Sequence, residues 1–254
     1  MIEIDLSGRI CVVTGASGEL GRVICRTLAR AGGAVALHYH QGRERAEAVY
    51  RELLALPARA MLVQGDVTRL ESVLAMRDAI TSELGPADVI VNNAVIAYSW
   101  QPVIDQPVAD YTSQFESCVL HNVHMAKAFV PSMLERGFGR VIGINTECAM
   151  QCFETQSAYV AAKRGMDGVL RTLAREVGGH QVTVNQVAPG WMISDRHRSS
   201  GTQSQPDYER LVPLRRRGTD QDVANVVAFL ASDLAGFITG AYVPVCGGNV
   251  MPAI

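Results

Sequence analysis

The chain has 254 residues with 48% hydrophobic and 19% charged residues, the composition of a soluble globular protein with material for a sizeable core. Its formal net charge of −2 excludes broad electrostatic attraction to nucleic acid or anionic membrane. No stretch reaches the ~18 uninterrupted apolar residues of a membrane span, and MIEIDLSGRICVV lacks the basic, apolar and cleavage-site order of a leader, so a cytoplasmic protein is expected. In chain order, Arg9 to Thr14 reads as a buried strand and Leu20 to Ala31 as a helix ended by Gly32 and Gly33. Ala34 to Tyr39 is a second strand, Arg43 to Leu56 a second helix and Arg59 to Gly65 a third strand. A helix from about Arg69 to Leu84 and a strand from Asp88 to Ala94 follow. Three more strands are expected at Gly139 to Thr146, Gln181 to Val187 and Ala241 to Val245, with helices near 108–134, 157–178 and 220–232.

Strand–helix alternation of this kind predicts an α/β protein, a doubly wound parallel sheet of about seven strands with helices on both faces. There is no internal repeat or Pro/Gly/Ser-rich linker, so one domain over 1–254 is expected. The polar stretch 194–213 is the least regular and reads as a mobile substrate lid. Arg215, Arg216 and Arg217 read as a solvated turn before a helix. The six cysteines are scattered, and Cys148 with Cys152 departs from the C-x₂-C spacing of zinc sites, so no metal is expected.

A parallel sheet binds ligands at the carboxyl ends of its strands. TGASGELG (Thr14 to Gly21) joins the first strand to the first helix, where backbone N–H groups attract anions. Asp66 and Asn92-Asn93-Ala94 also follow strands, placed for the adenine end and the cleft wall. Tyr159 and Lys163 lie four apart and so share a helix face. A phenol titrates near about 10, and a neighbouring ammonium favours the phenolate, which suits the tyrosine to proton transfer. Thr146, at the end of the fifth strand, offers a hydroxyl to a substrate oxygen. Tyr and Lys at this spacing are also ordinary packing and surface residues.

Together, the glycine loop, Asp66, NNA, YVAAK, VTVNQVAPGWMIS (Val182 to Ser194) and PLRRRGTDQDVANVVAFLASDLAGFITG (Pro213 to Gly240) resemble the short-chain dehydrogenase/reductase family, classical branch, near the 3-oxoacyl-carrier-protein reductases. The resemblance implies a Rossmann-like fold, an NAD(P)(H) cofactor, a small carbonyl or secondary-alcohol substrate and a homo-oligomer, commonly a tetramer. Tyr159 would pass a proton to or from the substrate oxygen, Lys163 would lower its pKa and hold the nicotinamide ribose, and Thr146 stands in for the family's serine. Cofactor contacts are expected from Thr14, Gly15, Ser17, Gly18, Glu19, Leu20, Tyr39, His40, Asp66, Val67, Asn93, Ala94, Tyr159, Lys163, Pro189, Gly190, Met192 and Ser194, with Asn93, Pro189 and Ser194 on the nicotinamide side. Ile96, Tyr98, Cys148, Met150, Phe153 and Trp191 are candidates for an apolar substrate pocket, Cys148 and Met150 fitting plain packing equally well.

The chain departs from the family at Val95, where NNAG has glycine, and at Cys118, where an asparagine supports a water relay to the lysine. Asn122 is one turn further along, too distant to take that role directly. These departures keep open an alternative, a catalytically weakened member acting as a cofactor-binding or assembly subunit. The loop reads TGxxGxxG, so its middle glycine is Gly18, expected to make the tight backbone approach, with Glu19 pointing to solvent. No acid stands at Tyr39 to take a ribose 2′-hydroxyl, and His40 and Arg43 suit a 2′-phosphate, so NADP(H) is favoured over NAD(H).

Overall fold

The computed structural model describes residues 3–252, leaving 1–2 and 253–254 of the expected 1–254 domain outside the described residues. From the N-terminus run β1 (Ile10–Val13), α1 (Glu19–Arg30), β2 (Ala34–Tyr39), α2 (Arg43–Leu54), β3 (Ala60–Gln64), α3 (Leu70–Glu83) and β4 (Val89–Asn92). Then come α4 (Val108–Gln114), a π-helical turn (Phe115–Leu120), α5 (His121–Arg136), β5 (Gly139–Ile144), α6 (Cys148–Gln151) and α7 (Ser157–Val177). The chain closes with β6 (Val182–Pro189), α8 (Asp195–Ser200), α9 (Pro206–Leu211), α10 (Asp220–Ala231) and β7 (Tyr242–Val245). All seven strands are parallel, in the order β3-β2-β1-β4-β5-β6-β7.

Side-chain alternation along the strands divides the core in two. Cys11 and Val13 of β1 pack with Ile24 and Leu28 of α1 and Val223 and Val227 of α10. Val12, between them, faces the other layer with Met76 of α3, Phe129 of α5 and Leu170 of α7. A sheet covered on both faces needs apolar residues at consecutive positions, which is why its strands read as continuous apolar runs. Strand order reverses between β1 and β4, so the loops leaving their carboxyl ends diverge and open a crevice there. Among the described residues, no helix is long and apolar enough to cross a membrane.

The structure corrects several expectations. β5 stops at Ile144, so Thr146 lies in the following loop instead of ending the strand. The helix expected over 108–134 is present as a continuous helical run to Arg136 but winds as a π turn at Phe115–Leu120, where the Asn122 amide donates to the Cys118 carbonyl at 2.6 Å. The stretch 194–213 is not irregular: Ser194 and His197 form a capping box that starts α8, and Pro206 opens α9. Arg217 is not solvated. It is 2% exposed and donates to the carbonyls of Trp191, Met192, Thr202 and Gln203, because the turn before α10 folds under the α8–α9 segment.

Candidate active site

The crevice beside β1 is built mainly from backbone. Thr14, fully buried, accepts hydrogen bonds through its hydroxyl from the backbone N–H groups of Asn93 (2.9 Å) and Ala94 (3.1 Å). The Asn93 amide returns a bond to the Thr14 carbonyl at 2.9 Å, so the loops after β1 and β4 are locked together. Gly15 adopts a φ of +65°, and its N–H donates to Nδ1 of His38 at 3.1 Å. Nε2 of the same ring therefore carries the proton and donates to the Gly65 carbonyl at 3.1 Å. Burial pushes His38 down to about 4, which keeps it neutral and in this tautomer.

Sequence reasoning missed His38. The available signal was a polar residue near the end of an otherwise apolar strand, buried from Val35 to Tyr39.

The tight glycine is also not the expected one. A Cβ on Gly21 would lie 2.2 Å from the Gly15 carbonyl oxygen and 2.9 Å from the Asn93 amide, whereas one on Gly18 would clear the same oxygen by 3.2 Å. Helix α1 crosses the turn at Gly21, so the third glycine of the motif makes the close approach. Glu19 does point outward, as expected: its side chain is 45% exposed and pairs with Arg22 at 2.8 Å. It also accepts the Arg196 backbone N–H at 3.2 Å, joining the loop to α8.

Most of the expected cofactor residues line one cleft of about 470 Å³. Gly15, Ser17, Gly18, Glu19 and Leu20 come from the turn, Tyr39 and His40 from the end of β2. Asp66 and Val67 follow β3, and Asn93 and Ala94 follow β4. The N-terminus of the twelve-residue α1 faces the same turn, where its first N–H groups lack intrahelical partners. A dinucleotide pyrophosphate fits this cradle. Arg43 does not line the cleft, and its guanidinium pairs with Glu47 at 2.7 Å.

The neighbouring cavity is built from side chains. It has a volume of about 680 Å³ and meets the cofactor cleft at Val95 and Ile96, which line both. Thr146 and Tyr159 line it together with the expected Ile96, Tyr98, Cys148, Phe153 and Trp191. Gly190 belongs to this cavity, while Pro189, Met192 and Ser194 line neither. Met150 faces a separate cavity, with Lys163 and Asn145, because α6 turns it away. Six lining residues were missed: Ala97, Trp100, Gln114, Glu147, Gln156 and Tyr208. Gln114 and Gln156 are buried polar residues, and Glu147 adjoins Thr146 in the sequence, a signal that was available.

Tyr159 sits near the start of α7, its backbone N–H donating to the Tyr98 phenol oxygen at 3.0 Å. Lys163 is 4% exposed, and its ammonium lies 5.6 Å from the Tyr159 ring centroid while donating to the Ile144 carbonyl at 2.6 Å. Burial raises the Tyr159 phenol, with the Cys118 and Cys148 thiols adding to the rise and the Thr146 hydroxyl opposing it. Burial also lowers the Lys163 ammonium, and Cys118 counters that. The phenol is thus raised here by desolvation, where lysine proximity led us to expect it lowered. Asn122 is committed to the helix junction, accepting from Asn92 at 2.7 Å while donating to Cys118.

A family profile described as enoyl-(acyl carrier protein) reductase matches residues 15–249. The chain is 34% identical over 250 residues to a 3-oxoacyl-(acyl-carrier-protein) reductase of Staphylococcus epidermidis, covering 94% of this chain and 98% of the relative. The Escherichia coli protein of the same name is 35% identical over 248 residues, covering 98% and 100%. Among solved structures, a short-chain dehydrogenase/reductase variant from Serratia marcescens superposes with a TM-score of 0.87 at 26% identity, covering 96% of this chain and 98% of that one. A structure from Agrobacterium tumefaciens, assigned provisionally as a gluconate dehydrogenase, superposes with a TM-score of 0.91 at 24% identity over 100% of both chains, a likeness of fold.

Proposed function

Because this chain belongs to the short-chain dehydrogenase/reductase family and is an NAD(P)-dependent oxidoreductase of small molecules, we propose that it reduces a carbonyl compound at the junction of the two cavities, with Tyr159 as proton donor. The observation that carries this reading is the placement of Thr146 and Tyr159 in an apolar cavity that opens at Val95 and Ile96 onto the dinucleotide cleft. Bound nicotinamide would supply the hydride to the carbonyl carbon. Thr146 holds the substrate oxygen through its hydroxyl, which already accepts the Cys148 N–H at 3.2 Å and still has a proton to give. Tyr159, raised by burial and so protonated at neutral pH, donates its proton to that oxygen as negative charge builds there. Lys163 lines the separate cavity behind α6 with its ammonium on the Ile144 carbonyl, and would turn from that carbonyl to hold the ribose of a bound cofactor. The apolar walls keep water from the reacting carbonyl.

NADP(H) remains the favoured cofactor, because neither Tyr39, His40 nor Gln41 offers a carboxylate to a ribose 2′-hydroxyl at the cleft. His40 is exposed there as a partner for a 2′-phosphate. A lid over 194–213 and a homo-oligomer, dimer or tetramer, complete the reading; Ile104 (93% exposed) and Val108 (79% exposed) support an apolar contact surface. The test is a thermal-shift titration with NADPH and NADH, followed by a panel of apolar ketones with loss of reduced-nicotinamide absorbance as readout. NADPH binding with ketone-dependent oxidation is expected. Cofactor binding without turnover of any ketone would overturn the reading.

A further inference from the structure

The loop between β5 and α6 places a carboxylate, Glu147, directly after Thr146 and leaves it 3% exposed. A buried carboxylate is costly unless donors surround it. The Tyr208 phenol, from α9, donates to one oxygen at 2.8 Å, and the Asn249 amide donates to the other at 3.1 Å. The Trp191 backbone N–H in turn donates to the Tyr208 phenol oxygen at 2.9 Å, so donor follows donor toward the carboxylate. The rings of Trp191 and Tyr208 meet edge to face with centroids 5.6 Å apart. The Arg217 guanidinium lies 4.7 Å from the indole. Gly190 leaves room for this convergence, since a Cβ there would lie 2.5 Å from the phenol oxygen and 3.0 Å from the Glu147 carboxylate. Segments from four distant parts of the chain thus meet at one buried acid, and both rings they bring line the substrate cavity.

We propose that Glu147 is a positioning residue that sets the substrate-facing wall: by holding Tyr208, and through it Trp191, it shapes the cavity for carbonyl compounds with a compact apolar ring body. This deepens the carbonyl-reductase reading and rests on it. With both oxygens engaged by Tyr208 and Asn249, Glu147 places other groups and exchanges no proton with substrate. The preference for rings follows from the walls. Tyr98, Trp100 and Phe153 line the cavity with Trp191 and Tyr208, and such rigid faces suit a rigid ligand, whereas a flexible chain loses conformational freedom on binding.

Both tryptophans of the chain, Trp100 and Trp191, line this cavity, so intrinsic fluorescence reads it directly. The probe is the bicyclic ketone β-decalone, titrated into the full chain loaded with NADP⁺, where no reduction occurs. Glu147→Ala and Tyr208→Phe are each expected to weaken its binding by about tenfold, the low end for one hydrogen bond to a charged group. The combined variant is expected to be no weaker than either single one, because both break the same chain of bonds. Glu147→Gln, which keeps an acceptor for Tyr208, is expected to stay within about threefold of the unmodified chain. Methyl octyl ketone, a linear ketone with the same number of carbons, is expected to bind about fivefold more weakly than β-decalone. NADP⁺ affinity is expected to hold in Tyr208→Phe.

Unchanged β-decalone binding in Tyr208→Phe, fully additive losses in the combined variant, or equal binding of the linear ketone would each overturn the proposal. If Glu147→Ala fails to fold, Tyr208→Phe and Glu147→Gln decide it. Turnover is measured separately with NADPH. The expected binding pattern without reduction of any ketone upholds the wall and rejects the carbonyl-reductase reading; reduction without the pattern does the reverse.

Discussion

The cofactor cleft and the substrate cavity share an edge at Val95 and Ile96 but are made of different material. The cleft is held by backbone groups and short polar side chains, with Thr14, Asn93 and His38 tying together loops that leave adjacent strands. The cavity is walled by large side chains gathered from segments as distant as Tyr98 and Tyr208. Backbone geometry tolerates few sequences, while a wall of side chains changes with each substitution. The first arrangement suits a ligand common to a whole family, and the second suits a substrate particular to one chain.

Acid should separate the two regions most strongly. His38 titrates near about 4 when folded and near about 6.5 when unfolded, so the unfolded chain binds the extra proton between those values. Its stabilising contribution is complete above about pH 6.5 and is lost as pH falls toward 4, in total about 3 kcal/mol. His121, pushed by burial down to about 3, adds a loss of the same sign. Glu147 has the opposite sign. Burial raises it despite its bonds to Tyr208 and Asn249, so its contribution is complete below its unfolded pKa and declines as pH rises above it. Denaturant melts across pH 4–7 are expected to show less acid destabilisation in His38→Gln than in the unmodified chain. An identical pH slope in the two would remove His38 from the account.

A methyl group gives the next contrast. Gly21→Ala forces a Cβ to within 2.2 Å of the Gly15 carbonyl oxygen, a backbone atom fixed by its neighbours. Calorimetry is expected to show NADPH affinity falling about a hundredfold, ~2.7 kcal/mol, with a lower Tm. Retained affinity would mean that the turn is looser than the hydrogen bonds around Thr14 and Asn93 indicate.

The smallest effect concerns Glu19, where cleft and α8 touch. Because its carboxylate faces Arg22 and the Arg196 N–H, Glu19→Gln is expected to change NADPH affinity by less than about tenfold, ~1.4 kcal/mol. A hundredfold gain would show that the carboxylate competes with the cofactor phosphates.

The same division explains what was legible in the sequence. Strand–helix alternation, the glycine turn and NNA were readable because each is a local pattern tied to a backbone requirement, and strand ends erred by only a residue or two, as at β5 and β6. The choice of Gly18 as the tight glycine failed because spacing does not say where α1 crosses the turn. His38 was missed because its partners, Gly15 and Gly65, lie 23 and 27 residues away. Glu147 and Tyr208 are 61 residues apart, and Arg217 looked like one arginine of an exposed run. A spacing of four put Tyr159 and Lys163 on one face of α7 but could not show that the ammonium reaches the Ile144 carbonyl or that desolvation governs the phenol. Contacts between distant segments carry the substrate cavity, and no local pattern records them.

On the proposed reading, Tyr159 serves the chemistry of the cavity and not the affinity of the cleft. Its most direct test is Tyr159→Phe, with NADPH binding measured by calorimetry and ketone reduction by single-turnover oxidation of bound NADPH. Cofactor affinity is expected to stay within about twofold of the unmodified chain while the reduction rate falls by about 10²–10⁴-fold, the range of a lost general acid. Reduction at the unmodified rate with bound NADPH would contradict it.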